Sequence, residues 1–483
     1  MKSQLGALAC ATCLSVLSAC APSTEGAGGQ PADVLLVSLD TLRADRLSCY
    51  GSPRDTTPFL DGLAERGVRA AQALSPSSQT APSHMSLFSG LHPLGHGVKN
   101  VSAGADECFR IANSRTTLPE LLAEADYTTA IFSDGGNVLP NMGFDRGFES
   151  RRFVLGEVRA TLESVRQWLG GVDEDEPVFL FFHTYTTHSP YLPPRGYRGR
   201  YTDSAYRGEF RRRYEQLEGK PRLETFTLAA RFLDPFEGMG DRDVEFLSNL
   251  YDETVAFADD ITGRLFSAFD QFRDLDNTLT IVLSDHGEEF FEHGSLGHKR
   301  GLYRELVHVP LLMNGPGLGP HVIEEPLDLT GLLATVTEFL GLEVPQDVAP
   351  SFLPALRGAP LDRPAHQQLS LGPTAGRWRA TVAEDARLLV HDFPRAEEPG
   401  LDPEIELFAL SDRSEVSALP GDPREPRLTG LLDERAASDV VLIREAIPTR
   451  VSVVGDTSQR ALQALGYLDD PESKGADKDS KQR

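Results

Sequence analysis

Cysteine is scarce in this chain, with five residues among 483. Three of them crowd the first twenty positions, so only Cys49 and Cys108 remain for the folded body. One disulfide at most is available there, and two buried thiols fit the spacing equally well. Positive charge is short too. Asp and Glu number 72 against 47 Lys and Arg, a net charge of −25, and the cations form no stripe. That excludes nucleic acid as a partner, because phosphate contacts need clustered cations. Long apolar runs are missing as well. The single N-terminal run in "MKSQLGALACATCLSVLSAC" is too short to span a bilayer. No internal repeat is apparent.

What is present at the N-terminus is specific. One Lys, a short apolar stretch and Leu17-Ser18-Ala19-Cys20 resemble a bacterial lipobox, in which Cys20 is lipidated and becomes the new N-terminus. Residues 1–20 then read as a lipoprotein signal peptide and 21–32 as a flexible tether. Residues 469–483 read as a disordered tail. The expected location is the cell envelope, with the protein held to a membrane by lipid. Ala21 and Pro22 offer no acidic retention signal, which favours the outer membrane or cell surface.

Between these ends strands and helices alternate. "DVLLVSLD", "TTAIFS", "PVFLFFHTY" and "NTLTIVLSDHG" are short apolar runs of strand length. "TTPFLDGLAERGV" carries a helix start and a glycine stop, and "DVEFLSNLYDETVAFADDITGRLFSAFDQF" is apolar at helical spacing. The pattern predicts an α/β fold, a large mainly parallel sheet with helices on both faces. The main domain is expected over 33–361 and a small α+β subdomain over 362–468, with a last helix at "SQRALQALGYL". Residues 191–243, rich in Arg, Tyr and Pro, read as an insertion over the active face. Their 195–214 part either grips an anionic group or packs.

Sites in such sheets lie beyond the carboxyl ends of the strands. Asp40, His183, Asp285 and His286 all fall there. Two acids and an imidazole suit a divalent cation: Zn²⁺, Mn²⁺, Mg²⁺ or Ca²⁺. "SSQTAPSHMSLFSG" poses a second question, because Thr80 or Ser83 is either the cap of a helix beginning near His84 or part of the chemistry. A helix start there would favour an anionic substrate in both cases.

Five stretches in order, "DVLLVSLDTLRADRLSCYG", "TAPSHMSLFSGLHPLGHGV", "FLFFHTYTTHSPY", "YDETVAFADDITGRL" and "LSDHGEEFFEHGSLGHKRGLYRELVHVPLLM", resemble the motif blocks of the sulfatase family, within the alkaline-phosphatase superfamily. The resemblance implies a metal-assisted ester hydrolase with a covalent intermediate. It makes Asp40, Asp285 and His286 metal ligands. Leu39 stands where the family usually has a second acid, which disfavours a hard Ca²⁺ cage. Asp285-His286 is similar to the Asp-His variant of relatives that cleave phosphate and phosphonate esters.

The nucleophile block departs from the pattern. Thr80-Ala81-Pro82-Ser83-His84 replaces C/S-x-P-x-R, in which the Cys or Ser is oxidised to formylglycine. A secondary alcohol cannot give an aldehyde, so no formylglycine is expected, and Thr80 becomes the candidate nucleophile. His84 takes the place of the motif arginine as a contact to an ester oxygen. His188 matches the leaving-group acid, Lys299 the cation that neutralises the anion, and Asn100 a contact to the substrate oxyanion. His298 and His183 are further substrate-binding candidates, His183 being equally a strand-end core histidine. Arg43 and Asp45 read as structural ion partners, and "GEEFFEHG" as a solvated or packing loop. The substrate is an anionic ester: a small molecule, glycan or lipid head group. The leading activity is cleavage of phosphate or phosphonate esters; the alternatives are a sulfuric ester hydrolase and a catalytically weak protein that binds anionic glycans or lipids.

Overall fold

β1, Asp33–Leu39, is buried along its whole length at the middle of a nine-stranded sheet. In the computed structural model the described residues are 32–101, 107–153, 156–220, 225, 232–298, 301–361, 363–370, 377–383, 386–392, 404–411, 414–417 and 422–452. Cys20, the tether, Lys299, "SQRALQALGYL" and the C-terminal tail lie outside them. The other strands of this sheet are β2 (Val68–Leu74), β3 (Thr128–Ser133), β4 (Ser150–Phe153), β5 (Val178–Thr184), β6 (Thr278–Leu283), β7 (His308–Val309), β8 (Leu311–Asn314) and β9 (His321–Asp328).

β1 pairs in parallel with β5 on one side and β6 on the other, and β5 continues in parallel to β3 and then β4. Beyond β6 the sheet is mixed. β8 runs antiparallel to both β6 and β2, and β9 closes the edge in parallel with β2. β7 also pairs antiparallel with β2. Pro310, between β7 and β8, has no N–H to give the ladder, which accounts for the break. The two reversals leave β2 running the same way as β6. The carboxyl ends of β1, β2, β3, β5 and β6 therefore share one edge.

Both faces are covered, which is why the central strands β1, β5 and β6 are buried along their whole length and almost wholly apolar. Along β1 the side chains alternate: Val34 and Leu36 enter one core, while Leu35, Val37 and Leu39 enter the other. The first core receives Ala81, Met85 and Phe88 of α2 (Thr80–Ser89). The second receives Leu60 and Leu63 of α1 (Pro58–Arg66). It also takes Val165 of α3 (Val158–Leu169) and the apolar stripe of α5 (Asp241–Phe269). Within the 191–243 insertion, α4 (Glu209–Leu217) buries Phe210 and Tyr214 in that same core, beside Tyr191 and Tyr206. Those aromatics are packing residues.

A separate five-stranded antiparallel sheet spans Ala365–Ser370, Arg377–Ala383, Ala386–Asp392, Glu404–Ser411 and Ser414–Ser417. Helix α6 (Leu332–Phe339) precedes it and α7 (Glu425–Glu445) follows it. After α7 the chain returns to the main body, where Thr449–Ser452 pairs antiparallel with Glu107–Arg110. Cys49 and Cys108 are both free thiols, the first half-buried and the second buried. Among the described residues no helix is long and apolar enough to cross a membrane.

Candidate active site

The site is assembled by three strand ends and one helix start. Just past β1, Asp40 is fully buried and its backbone N–H donates to the Thr184 carbonyl at the end of β5. Thr41 follows at φ 59, a left-handed backbone that a β-branched residue adopts at a cost of about 1–3 kcal/mol. Its neighbours hold it there. Thr41 N–H donates to Asp285 Oδ1 at 3.3 Å, and Tyr251 Oη–H donates to the Thr41 carbonyl at 2.7 Å.

Past β6 the chain turns through Ser284, Asp285 and His286. Gly287 N–H donates to the Leu306 carbonyl, and a Cβ at this glycine would sit 2.0 Å from the Glu305 carbonyl oxygen. Only glycine allows that approach, and the approach fixes the ligand loop. Ser83 Oγ–H donates to the Asp285 carbonyl at 2.6 Å, which ties helix α2 to the same loop.

One oxygen from each of Asp40 and Asp285 and one ring nitrogen of His286 all lie within 4.8 Å of one another. His286 Nδ1–H donates to the Gly287 carbonyl at 2.9 Å, so in the neutral ring Nε2 carries the lone pair. No hydrogen bond reaches Asp40 Oδ1 or Asp285 Oδ2, although Asp285 Oδ2 has ring nitrogens of His84 and His286 each 3.5 Å away. Burial raises the pKa of both acids, and for Asp40 the repulsion of Asp285 adds to it. Burial pushes His286 down to about 3, with His298 contributing. Two carboxylates that resist ionisation, each with one oxygen that receives no hydrogen bond, together with a neutral imidazole, make a donor set that a divalent cation fits.

Thr80 is the first residue of α2, with Gln79 as cap. The helix thus begins four residues before His84, where the sequence reading had placed its start. Asn100 supplies a capping contact, its Oδ1 accepting the Ala81 N–H at 2.8 Å. Thr80 is therefore not the cap. Its Oγ1 lies 3.3 Å from His286 Nε2, 3.5 Å from Asp40 Oδ2 and 3.5 Å from the Tyr185 hydroxyl.

The histidines cluster around it. His84 lies beneath Thr80, with Nδ1 2.9 Å from the Thr80 carbonyl and Nε2 2.8 Å from Ser38 Oγ, so both ring nitrogens are engaged by the chain. His183 has its Nε2 3.5 Å from Asp40 Oδ2 and its ring edge-on to His84 at 4.4 Å. Burial, reinforced by His84, holds His183 well below the usual imidazole range. His188 donates from Nδ1 to the Ser189 carbonyl at 2.6 Å and leaves Nε2 without a hydrogen bond. The His298 ring stands 5.0 Å from that of His188 and 4.4 Å from that of His286.

Two buried residues of the site escape the sequence reading. Glu288, in the run read as a solvated or packing loop, is wholly buried and accepts from His298 Nδ1 at 2.9 Å. Three acids in eight residues look like solvated surface, and only the turn at Gly287 carries this one inward. Tyr185 is the other; its position two residues past His183, at a strand end, was the available signal. Arg43 does form the expected ion pair with Asp45 and reaches Glu292 as well.

Residues 32–342 match the family model described as sulfatase. The chain belongs to the sulfatase family. Within it, this sulfatase-family protein is 21% identical over 427 residues to the N-acetylglucosamine-6-O-sulfatase of Bacteroides thetaiotaomicron, covering 72% of this chain and 74% of the relative. Among solved structures it is similar to BT4656 in complex with its substrate D-glucosamine-2-N,6-O-disulfate. The TM-score is 0.67 and the identity 18%, over 85% of this chain and 99% of the other. It is also similar to the phosphonate monoester hydrolase of Agrobacterium radiobacter, with a TM-score of 0.64 and 17% identity over 88% and 100% of the two chains. The protein is thus an ester hydrolase with the fold shared by sulfatases and phosphonate hydrolases. Enzymes of this superfamily use a metal ion, and Asp40, Asp285 and His286 are the residues that would hold it.

Proposed function

We propose that this protein cleaves phosphate or phosphonate esters with the Thr80 hydroxyl as nucleophile. The observation that carries the reading is the position of Thr80 Oγ1, 3.3 Å from His286 Nε2 and 3.5 Å from Asp40 Oδ2 at the start of a buried helix. A cation bound there would lower the pKa of the hydroxyl and stabilise charge developing on the ester oxygens. The missing second acid at Leu39 and the Asp285-His286 pair favour Zn²⁺ or Mn²⁺ over Ca²⁺.

Thr80 Oγ1 attacks phosphorus as its own proton passes to solvent, and the leaving oxygen departs from the opposite side with the electron pair of the broken bond. His84 positions the nucleophile from beneath by its bond to the Thr80 carbonyl. His188 presents Nε2 to the substrate and exchanges the proton of the leaving group. His298 is held by Glu288 near His188 and His286, and the family resemblance assigns neutralisation of the anion to Lys299, which lies outside the described residues. Asn100 acts here on the helix start, keeping Ala81 N–H and the residue before it in place. The lipobox at Leu17–Cys20 supports attachment to the envelope membrane by lipid.

Sulfuric ester hydrolysis is the second reading, favoured by the sulfatase relatives. Chromogenic phosphate monoesters, phosphate diesters, phosphonate esters and sulfate esters, assayed with several divalent metals, separate the two. Phosphorus esters should turn over faster, and Thr80→Ala should lose about 10²-fold or more in kcat. A clear preference for sulfate with Thr80→Ala fully active would overturn both the substrate and the nucleophile.

A further inference from the structure

We propose that Tyr185 is a catalytic residue whose hydroxyl assists departure of the Thr80 oxygen when the covalent intermediate breaks down. The inference rests on Thr80 being the nucleophile. Tyr185 is fully buried, and its hydroxyl lies 3.5 Å from Thr80 Oγ1. The Asn137 backbone N–H donates to the same tyrosine oxygen at 3.2 Å. That contact uses an acceptor position of the oxygen, and the hydroxyl donates to Thr80 Oγ1.

The ring is held on every side. It stacks on His188 with centroids 4.7 Å apart and 26° between planes, and meets His183 edge-on at 5.3 Å. Asp134 Oδ1 accepts the Tyr185 backbone N–H at 2.7 Å. Gly135 lies flat against the ring, and a Cβ there would come within 2.0 Å of it. A hydroxyl fixed this firmly beside the reacting oxygen loses little freedom when charge develops there, which is the condition for an effective stabilising donor.

Threonine makes such a donor necessary. A formylglycine hydrate can shed its ester by elimination, whereas a threonine ester has to be displaced. The oxygen of a water joins phosphorus and the phosphorus–Oγ1 bond breaks, its electron pair staying on Oγ1. The proton given up by the water ends on that oxygen, which restores threonine and releases the acid. An alkoxide is a poor leaving group; a cation held by Asp40, Asp285 and His286 would stabilise it, and a hydrogen-bond donor would add to that. Tyr185 donates to the emerging oxygen. The same hydrogen bond opposes attack slightly, since it occupies a lone pair of the nucleophile, so the benefit falls on the second step.

The test is rapid-quench kinetics on the metal-loaded enzyme with 4-nitrophenyl phosphate and 4-nitrophenyl phenylphosphonate, with mass spectrometry of the Thr80 peptide. Tyr185→Phe should keep a fast burst of nitrophenol approaching one per site. Steady-state turnover should then fall about 10–10²-fold, with most of the enzyme modified at Thr80. A purely structural role would slow burst and steady state together, and that result overturns the inference. Replacing Tyr185 by difluorotyrosine keeps the ring and its packing while making the hydroxyl more acidic. Breakdown should then shift its pH profile toward acid, and an unmoved profile counts against the donor role even if the Phe variant folds poorly. Failure of the nucleophile has a different signature: no adduct at Thr80 in any variant, with turnover retained by Thr80→Ala.

Discussion

Replacing Asp40 by Asn should change stability in opposite directions with and without metal. In the metal-free protein Asp40 is a buried carboxyl facing Asp285, with Glu288 also close enough to repel it, and no hydrogen bond reaches its Oδ1. Burial and these like charges make the ionised form costly, and leaving a buried charge unpaired costs about 3–5 kcal/mol in comparable interiors. Asparagine has nearly the same shape and no charge, so the metal-free variant should be more stable than the metal-free wild type, by about 1–2 kcal/mol after local relaxation. With metal the order reverses. The wild type should gain about 2.7 kcal/mol at a free metal concentration a hundred times Kd, and the variant, one charged ligand short, should gain far less. Thermal melts in chelator and across a titration of Zn²⁺ or Mn²⁺, with bound metal measured on the same samples, read both signs. A metal-free Asp40→Asn protein that melts below metal-free wild type would refute the charge argument. An equal metal-induced rise in the two proteins would remove Asp40 from the ligand set.

Two further outcomes test other parts of the chain. Asp33, at the opposite end of β1, is pushed up to about 6 by burial, partly offset by its bond from the Val178 N–H at 2.8 Å. A folded pKa above the unfolded value near 3.8 means that its contribution is full below about pH 4 and is lost as pH rises through 6. Asp33→Asn keeps the acceptor, so it should melt higher than wild type at pH 8, by at most about 3 kcal/mol, and match it near pH 4; parallel melting curves would refute this. At the N-terminus, Cys20→Ser should abolish lipid labelling and release the protein from the membrane fraction. A variant that stays membrane-bound, with no lipid on the wild type, would show the lipobox reading to be wrong.

The strand ends were legible because their chemistry breaks their own pattern. β1, β5 and β6 are apolar runs that stop abruptly at Asp40, His183 and Asp285, and a parallel sheet brings such stops to one edge. Local pattern was silent where a contact from far along the chain decides the outcome. The start of α2 was placed late because Thr80-Ala81-Pro82 has no helical signature of its own, while its Ala81 N–H is satisfied by Asn100, nineteen residues on. Glu288 was missed for the same reason, since nothing in "GEEFFEHG" records the Glu305 carbonyl that pins Gly287. Helix α7 and the return strand at Thr449–Ser452 were also unannounced, the strand being four residues long and defined only by its partner.

That return strand governs the order in which the molecule can be completed. Glu107–Arg110 follows closely on the segment that carries Thr80 and Asn100, yet its partner is more than three hundred residues downstream. On emergence from the ribosome this early segment has an open edge, and it keeps one until nearly all of the chain has been made. The metal ligands have the same history, because Asp40 waits for Asp285. Contacts of such long sequence separation form late and slowly. The described side chains of the candidate site all lie at or before His298, so they are made well ahead of residue 449, and a protein interrupted before that point leaves the Glu107–Arg110 strand without its partner.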